Sequence, residues 1–205
     1  MRRQAENQIA VIAGANGALK PEQTTLPQIM PHDFVMLQME IPAVVNFAAI
    51  DQAHTAGAIS VLNIAPFNNE AVKLAKHADI IIANETEFDA LADAMGLVGN
   101  GFGERAAGFA SATGRTIIIT LGAKGAIGAS RDGVFTADAP KIIPVDTVGA
   151  GDTFCGAFTV ALSEGKGLAE AMHFGCVAGA LACLKHGAQP AIPYREEIDA
   201  LISNI

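Results

Sequence analysis

A chain of 205 residues, half of them hydrophobic and carrying a formal net charge of −8, suits one α/β domain with a sizeable core. The acidic balance excludes a broad basic surface for nucleic acid, and the high apolar content excludes a disordered chain. An anionic substrate stays open, because helix ends and a bound Mg²⁺ can supply local positive potential.

Met1-Arg2-Arg3-Gln4-Ala5-Glu6 contains no apolar segment of the secretory type, so a cytoplasmic protein is expected. Ile9-Ala10-Val11-Ile12 reads as a strand stopped by a loop at Gly14-Ala15-Asn16-Gly17. Residues 33–37 read as a second strand, with Glu40 just past its end. Pro42 then opens a helical pattern that closes near Gly57, proline being tolerated in a first turn. A buried strand over 58–64 leads through a turn at Pro66 to a helix near 70–77. Asp79-Ile80-Ile81-Ile82-Ala83 is a further core strand, followed by a helix over 86–95.

A glycine-rich loop over 96–103 and another helix precede Thr116-Ile117-Ile118-Ile119-Thr120, a continuous apolar strand. Strands alternating with helices and buried on both faces predict a mostly parallel sheet between helical layers. After it the pattern shortens to strands at 126–130 and 134–136, turned at Asp132-Gly133. An extended run then ends at Asp146. Helices are predicted over 152–164, 168–184 and 194–202. The 171–184 stretch is too short to span a bilayer and contains His173. Cys155, Cys176 and Cys183 lie in apolar helical contexts and read as buried thiols rather than a disulfide frame or zinc site.

The chain is organised around Asp146-Thr147-Val148-Gly149-Ala150-Gly151-Asp152-Thr153-Phe154. Glycines before a helix let the backbone turn tightly and leave its N–H groups uncovered. With the positive end of the helix dipole, those donors suit a phosphate. Asp152 stands at the mouth, where a carboxylate can take a proton from an attacking hydroxyl. An anion cradle beside a general base is what phosphoryl transfer to an alcohol requires. The plainer reading of Gly149-Ala150-Gly151-Asp152 is a loop with an aspartate cap.

Two further motifs end core strands. Asn84-Glu85-Thr86-Glu87 has the spacing of a capping box, and also lies at the carboxyl edge where α/β sheets place ligands. Thr120-Leu121-Gly122-Ala123-Lys124-Gly125 reads as a β-turn whose glycines would also admit a flat ligand or its phosphates. No G-x-x-x-x-G-K-[ST] is present, and no G-x-G-x-x-G follows a strand with a suitably placed acid, so neither a P-loop nor a dinucleotide fingerprint accounts for the phosphate site.

Taken together, these strings resemble the signatures of the ribokinase (PfkB-type) sugar kinase family, as do His186-Gly187-Ala188-Gln189-Pro190 and Tyr194-Arg195-Glu196-Glu197-Ile198. The resemblance covers nearly the whole chain and implies one domain, residues 1–205, forming the nucleotide-binding and catalytic C-terminal part of a ribokinase-like three-layer sandwich. It implies ATP-dependent phosphorylation of the primary hydroxyl of D-ribose, with Asp152 as base and the Gly149, Ala150 and Gly151 loop as anion hole. Asn84, Thr120, Gly122, Lys124, Gly125, Gly151 and Cys176 would meet the nucleotide, and Glu40 would join Asp152 on the sugar side. Glu87 would organise Mg²⁺ through water. A monovalent cation, potassium by the resemblance, would be held by Asp146 with the carbonyls of Val148, Ala182, Lys185 and Gly187, and Ala191 adjoining; Asp146 also reads as a simple turn-initiating residue.

A member of this kind would carry a long additional stretch upstream, with the lid sheet, paired glycines and most sugar contacts. The expectation is therefore a fold truncated at the N-terminus and lacking the lid, whose exposed sheet edge invites a homo-oligomer. Other acceptors (a fructose, ketodeoxygluconate or nucleoside), an idle nucleotide-binding module and an NAD-binding domain are the alternatives.

Overall fold

The computed structural model describes residues 13–24 and 28–204. The strand expected at Ile9–Ile12 lies outside the described residues. The loop expected at Gly14 is a single helical turn, α1 (Gly14–Gly17).

Six strands form one sheet in sequence order: β1 (Phe34–Leu37), β2 (Ile59–Asn63), β3 (Ile80–Asn84), β4 (Thr116–Thr120), β5 (Ala126–Ser130) and β6 (Gly133–Ala137). The first four are mutually parallel, and β5 and β6 fold back as an antiparallel extension. Helices α2 (Ala43–Ala56), α3 (Ala71–His77), α4 (Glu85–Met95) and α5 (Phe102–Thr113) make the crossovers between parallel strands. Right-handed crossovers between sequential strands carry their helices to a single face. The other face is covered by α6 (Ala150–Ser163), α7 (Leu168–Ala182) and α8 (Arg195–Ile202). This is the expected α/β sandwich.

The two-residue period of the strands divides the core. Leu62, Ile81, Ile117 and Ile119 pack with Ile50, Leu74, Phe88 and Phe109 on the α2–α5 side. Val61, Ile80, Ile82 and Ile118 pack with Phe154, Phe158, Met172 and Val177 on the opposite side. Burial on both faces is why β3 and β4 read as unbroken isoleucine runs instead of alternating ones. Among the described residues β1 has a strand partner on one side only, and its Met36 is 44% exposed. Among the described residues the apolar edge of the sheet is therefore at β1.

Helices α6 and α7 lie close because α7 carries glycine where they cross. A Cβ at Gly175 would stand 2.9 Å from the Phe154 ring and 3.1 Å from the Phe154 carbonyl oxygen; one at Gly179 would stand 3.2 Å from the carbonyl oxygen of Ala150. By contrast, nothing lies within 4 Å of a Cβ built at Gly156, in the middle of α6. The same substitution should then have opposite signs on neighbouring helices. Gly156→Ala should stabilise by about 0.5–1 kcal/mol through helix propensity. Gly175→Ala makes the same local gain but overpacks the crossing, at a cost of about 1–3 kcal/mol, and should be destabilising on balance. Urea unfolding of both variants tests this, and equal effects would contradict the packing described.

Candidate active site

The chain enters α6 through a left-handed residue. Gly149, the N-cap, has φ 77° and ψ 2°, and a Cβ there would lie 3.1 Å from the Cβ of Ala188. Both the conformation and the contact call for glycine. The helix begins at Ala150, two residues before the expected start, so Asp152 is the third helical residue and the cap is Gly149. Thr153 closes the turn by donating its amide (2.9 Å) and hydroxyl (2.8 Å) to the Gly149 carbonyl.

The amide of Ala150 makes a long 3.3 Å bond to the Thr147 carbonyl. Among the described residues the amides of Gly151 and Asp152 donate to no protein acceptor. The Gly149 amide likewise donates to no acceptor among the described residues, so of the expected Gly149, Ala150 and Gly151 loop only Ala150 is engaged; Gly151 and Asp152 are the two bare amides inside α6. First-turn amides have no intrahelical acceptor, so these two point outward as donors at the positive end of α6. Asp152 is itself exposed.

Strand register brings the other motifs to this corner. Asn84 and Thr120 are paired neighbours at the carboxyl ends of β3 and β4. Asn84 Oδ1 accepts from the Glu87 amide (2.8 Å) and Glu87 Oε2 accepts from the Asn84 amide (2.9 Å), a complete capping box. Glu87 nevertheless also lines a cavity of about 160 Å³ with Asn84, Thr120, Gly151, Asp152 and Cys155. The motif is therefore a capping box whose Glu87 also faces a cavity at the carboxyl edge of the sheet. Burial raises the Glu87 carboxyl above its ordinary value, with the two Asn84 bonds opposing the shift. Burial, reinforced by the charges of Asp152 and Glu87, pushes the Cys155 thiol up to about 12, so it is no nucleophile at neutral pH.

Thr120 and Gly151 also belong to a second, larger cavity of about 380 Å³. One wall is Gly122, Ala123 and Gly125; Ala139, Pro140 and Ile142 form another; Phe154, Cys176 and Ala180 close it. Gly125 has φ 92°, and a Cβ there would fall 1.9 Å from the Ala137 carbonyl oxygen, so no other residue lets the β4–β5 turn approach β6. Cys176 is buried in this wall, its thiol also raised to about 12 by burial. Lys124 points away, 79% exposed and 3.8 Å from Glu85. Glu40 lines neither cavity; it lies 3.5 Å from the Asn16 amide nitrogen.

Among the described residues the expected extended run before Asp146 has no sheet partner. It is tied instead to the end of α7, where the Cys183 carbonyl accepts from Val145 (2.8 Å) and Asp146 (3.3 Å). Asp146 accepts from the amides of Gly187 (3.0 Å) and Val148 (3.1 Å). These bonds, with a smaller contribution from His186, hold its carboxyl below the ordinary value. Among the described residues the carbonyls of Val148, Lys185, Gly187 and Ala191 accept no backbone hydrogen bond outside a helix. A carboxylate and carbonyl oxygens are the kind of donors that a hard cation takes.

Sequence reasoning missed the 139–144 wall, which has no periodicity and only Pro140 and Pro144 as signals. It also missed Lys141, a cation in the lining of the larger cavity. All three cysteines are free, but Cys183 is half-buried, not buried.

A phosphate-sized cradle with an exposed carboxylate, opening into a largely apolar cavity of nucleotide size, is now joined by comparison with known proteins. The family model of the pfkB family carbohydrate kinases matches residues 1–195. The chain belongs to that family. It is 36% identical over 199 residues to a ribokinase of Staphylococcus aureus, covering 96% of this chain and 66% of the relative. It is 32% identical over 210 residues to that of Bacillus subtilis, covering 98% and 66%. The chain thus spans about two-thirds of the length of these relatives. The ribokinase of Thermotoga maritima superposes with a TM-score of 0.87 at 32% identity, over 98% of this chain and 67% of that one. The ribokinase of Arabidopsis thaliana, solved in complex with ribose and ATP, gives 0.79 at 28%, over 97% and 66%. Among the described residues no helix is long and apolar enough to cross a membrane.

The sign of the Asp146 shift gives a test. A carboxyl with a depressed folded-state pKa contributes stability that is fully present above the unfolded value. That contribution fades as pH falls through the folded one. The Asp146–Gly187 bond should hold as pH drops past 3.8, the ordinary value, and break only below it. The amide resonance of Gly187, followed by NMR into acid, should therefore titrate with a midpoint under 3.8. A midpoint at or above that value would contradict the tether.

Proposed function

We propose that this chain is the catalytic part of an ATP-dependent sugar kinase that phosphorylates the primary hydroxyl of D-ribose. The observation that carries the reading is the pair of bare amides at Gly151 and Asp152 beside the exposed Asp152 carboxylate. The names of the ribokinase relatives support ribose, and the nucleotide in the Arabidopsis complex supports ATP.

In this reading the adenine lies in the 380 Å³ cavity between the 139–144 wall and Cys176. Cavities of this size and largely apolar lining are typical of small-molecule sites. The phosphates run along Gly122 and Gly125 toward Gly151, which with Thr120 is common to both cavities. The amides of Gly151 and Asp152 face the transferring phosphoryl and are fixed before the reaction, so they stabilise its charge without reorganisation. Asp152 accepts the proton of the sugar hydroxyl. Glu87 would hold Mg²⁺ through water, which when bound neutralises charge between the terminal phosphates. Asp146 and the carbonyls of Val148, Lys185, Gly187 and Ala182, with Ala191 adjoining, would hold a potassium ion behind the cradle.

A second reading, a nucleotide-binding module without turnover, is favoured by the position of Glu40 outside both cavities. Asp152→Asn separates them. With ribose and ATP, a coupled ADP-release assay should show wild-type turnover that falls by about 10²–10⁴-fold in the variant, while ADP affinity is retained. Unchanged turnover in the variant would remove Asp152 from the mechanism. ADP binding with no ribose-dependent turnover in the wild type would select the module.

A further inference from the structure

The amino edge of the sheet, at the opposite end of the strands from both cavities, holds a cluster that the kinase reading does not use. Asp51 and His54 lie one turn apart on α2, and His77 is the last residue of α3. Residues three apart on a helix share a face. One ligand atom from each of the three lies within 4.8 Å of the other two. Asp51 Oδ1 is 2.7 Å from His77 Nε2, and the two imidazole rings stand 5.6 Å apart.

We propose that Asp51, His54 and His77 form a binding site for a divalent transition-metal ion of the zinc type, with a remaining position open to water. Two imidazoles and one carboxylate suit Zn²⁺, Co²⁺ or Ni²⁺, whereas Ca²⁺ and Mg²⁺ favour all-oxygen sets.

The surroundings orient the two histidines. His54 Nε2 is 3.0 Å from Asp79 Oδ2. The neutral tautomer that donates from Nε2 keeps its lone pair on Nδ1. A carboxylate behind a metal-binding imidazole fixes the tautomer and raises its basicity. Asp79 is itself anchored by the amide (2.9 Å) and hydroxyl (2.7 Å) of Ser60 and by Arg115 Nη1 (2.7 Å). Phe47 packs against the His77 ring at 5.4 Å. The Arg115 charge is matched by Asp79, which leaves the Asp51 carboxylate as the anion facing the site.

Zinc bonds of about 2.0–2.2 Å require the three donors to draw together. The side chains have room to do so, being 66% exposed at Asp51, 36% at His77 and 31% at His54. The ion would replace the proton shared by Asp51 and His77 and clamp α2 to α3.

The test uses the full chain stripped with a chelator and titrated with ZnCl₂ by calorimetry. A parallel titration with CoCl₂ is followed by visible absorption. One ion per chain is expected, with the intense d–d bands of four-coordinate cobalt. His77→Ala and Asp51→Ala should each weaken binding by at least about tenfold, and Asp79→Asn by about 10–100-fold. His173→Ala, on α7, should change nothing. Zinc should also shift the imidazole NMR signals of His54 and His77 in the wild type, a readout that needs no variant. Absence of saturable zinc binding, binding unaffected by His77→Ala, or imidazole signals that do not move would each overturn the site and leave a pair of histidine–aspartate hydrogen bonds only.

Discussion

The left-handed turn at Gly149 is the constraint on which the rest of the corner depends. It lets the chain change direction within one residue, so that α6 begins with donors exposed and a carboxylate beside them. The turn is held from outside. Ala188 packs against the face where Gly149 has no side chain, and Asp146 joins the loop before Gly149 to the one containing Gly187. Small residues on α7 let α6 sit low on the sheet, which puts its first turn level with the strand ends. Substituting larger residues at these points would move the donors and the carboxylate together, so the geometry of this corner and the helix packing are one problem.

The sheet supplies the other half. Parallel strands end on the same side, so residues far apart in sequence arrive at one edge without any long-range motif to pair them. Asn84, Thr120 and Gly151 meet this way, the first two through strand register and the third through α6. The same topology explains the separation of the two clusters. Asp51, His54, His77 and Asp79 gather where the parallel strands begin, and the bare amides of α6 lie where they end. A metal at the first would act on the α2–α3 packing and not on the cradle directly.

Much of the architecture was legible because the strands are buried on both faces. Ile80 to Ala83 and Ile117 to Ile119 are unbroken apolar runs, and their limits match the observed strands within a residue. The start of α6 was misplaced because Gly149-Ala150-Gly151 reads as loop by propensity, whereas packing against α7 makes Ala150 and Gly151 helical. The run ending at Asp146 read as extended, and its last two amides are taken by the Cys183 carbonyl at the end of a helix, a partner that no local pattern announces. The motif at Asn84 offered a cap or a ligand position, and the capping box and the cavity turned out to use the same two side chains. The wall at 139–144 was invisible for lack of periodicity, its residues lying outside any helix or strand. Glu40 was placed on the sugar side by the resemblance, and the described residues leave it beside Asn16, outside the lining of both cavities.

The central claim is that the free amides at the start of α6 receive the terminal phosphate of a nucleotide. Its most direct test is a comparison of backbone amide NMR shifts on adding a non-hydrolysable ATP analogue or AMP. Hydrogen bonds to phosphate move amide protons downfield, so Gly151 and Asp152 should shift strongly with the triphosphate and little with the monophosphate. Residues around Cys176 should respond to both ligands. Equal responses at Gly151 and Asp152 to both ligands, or none to either, would contradict the account.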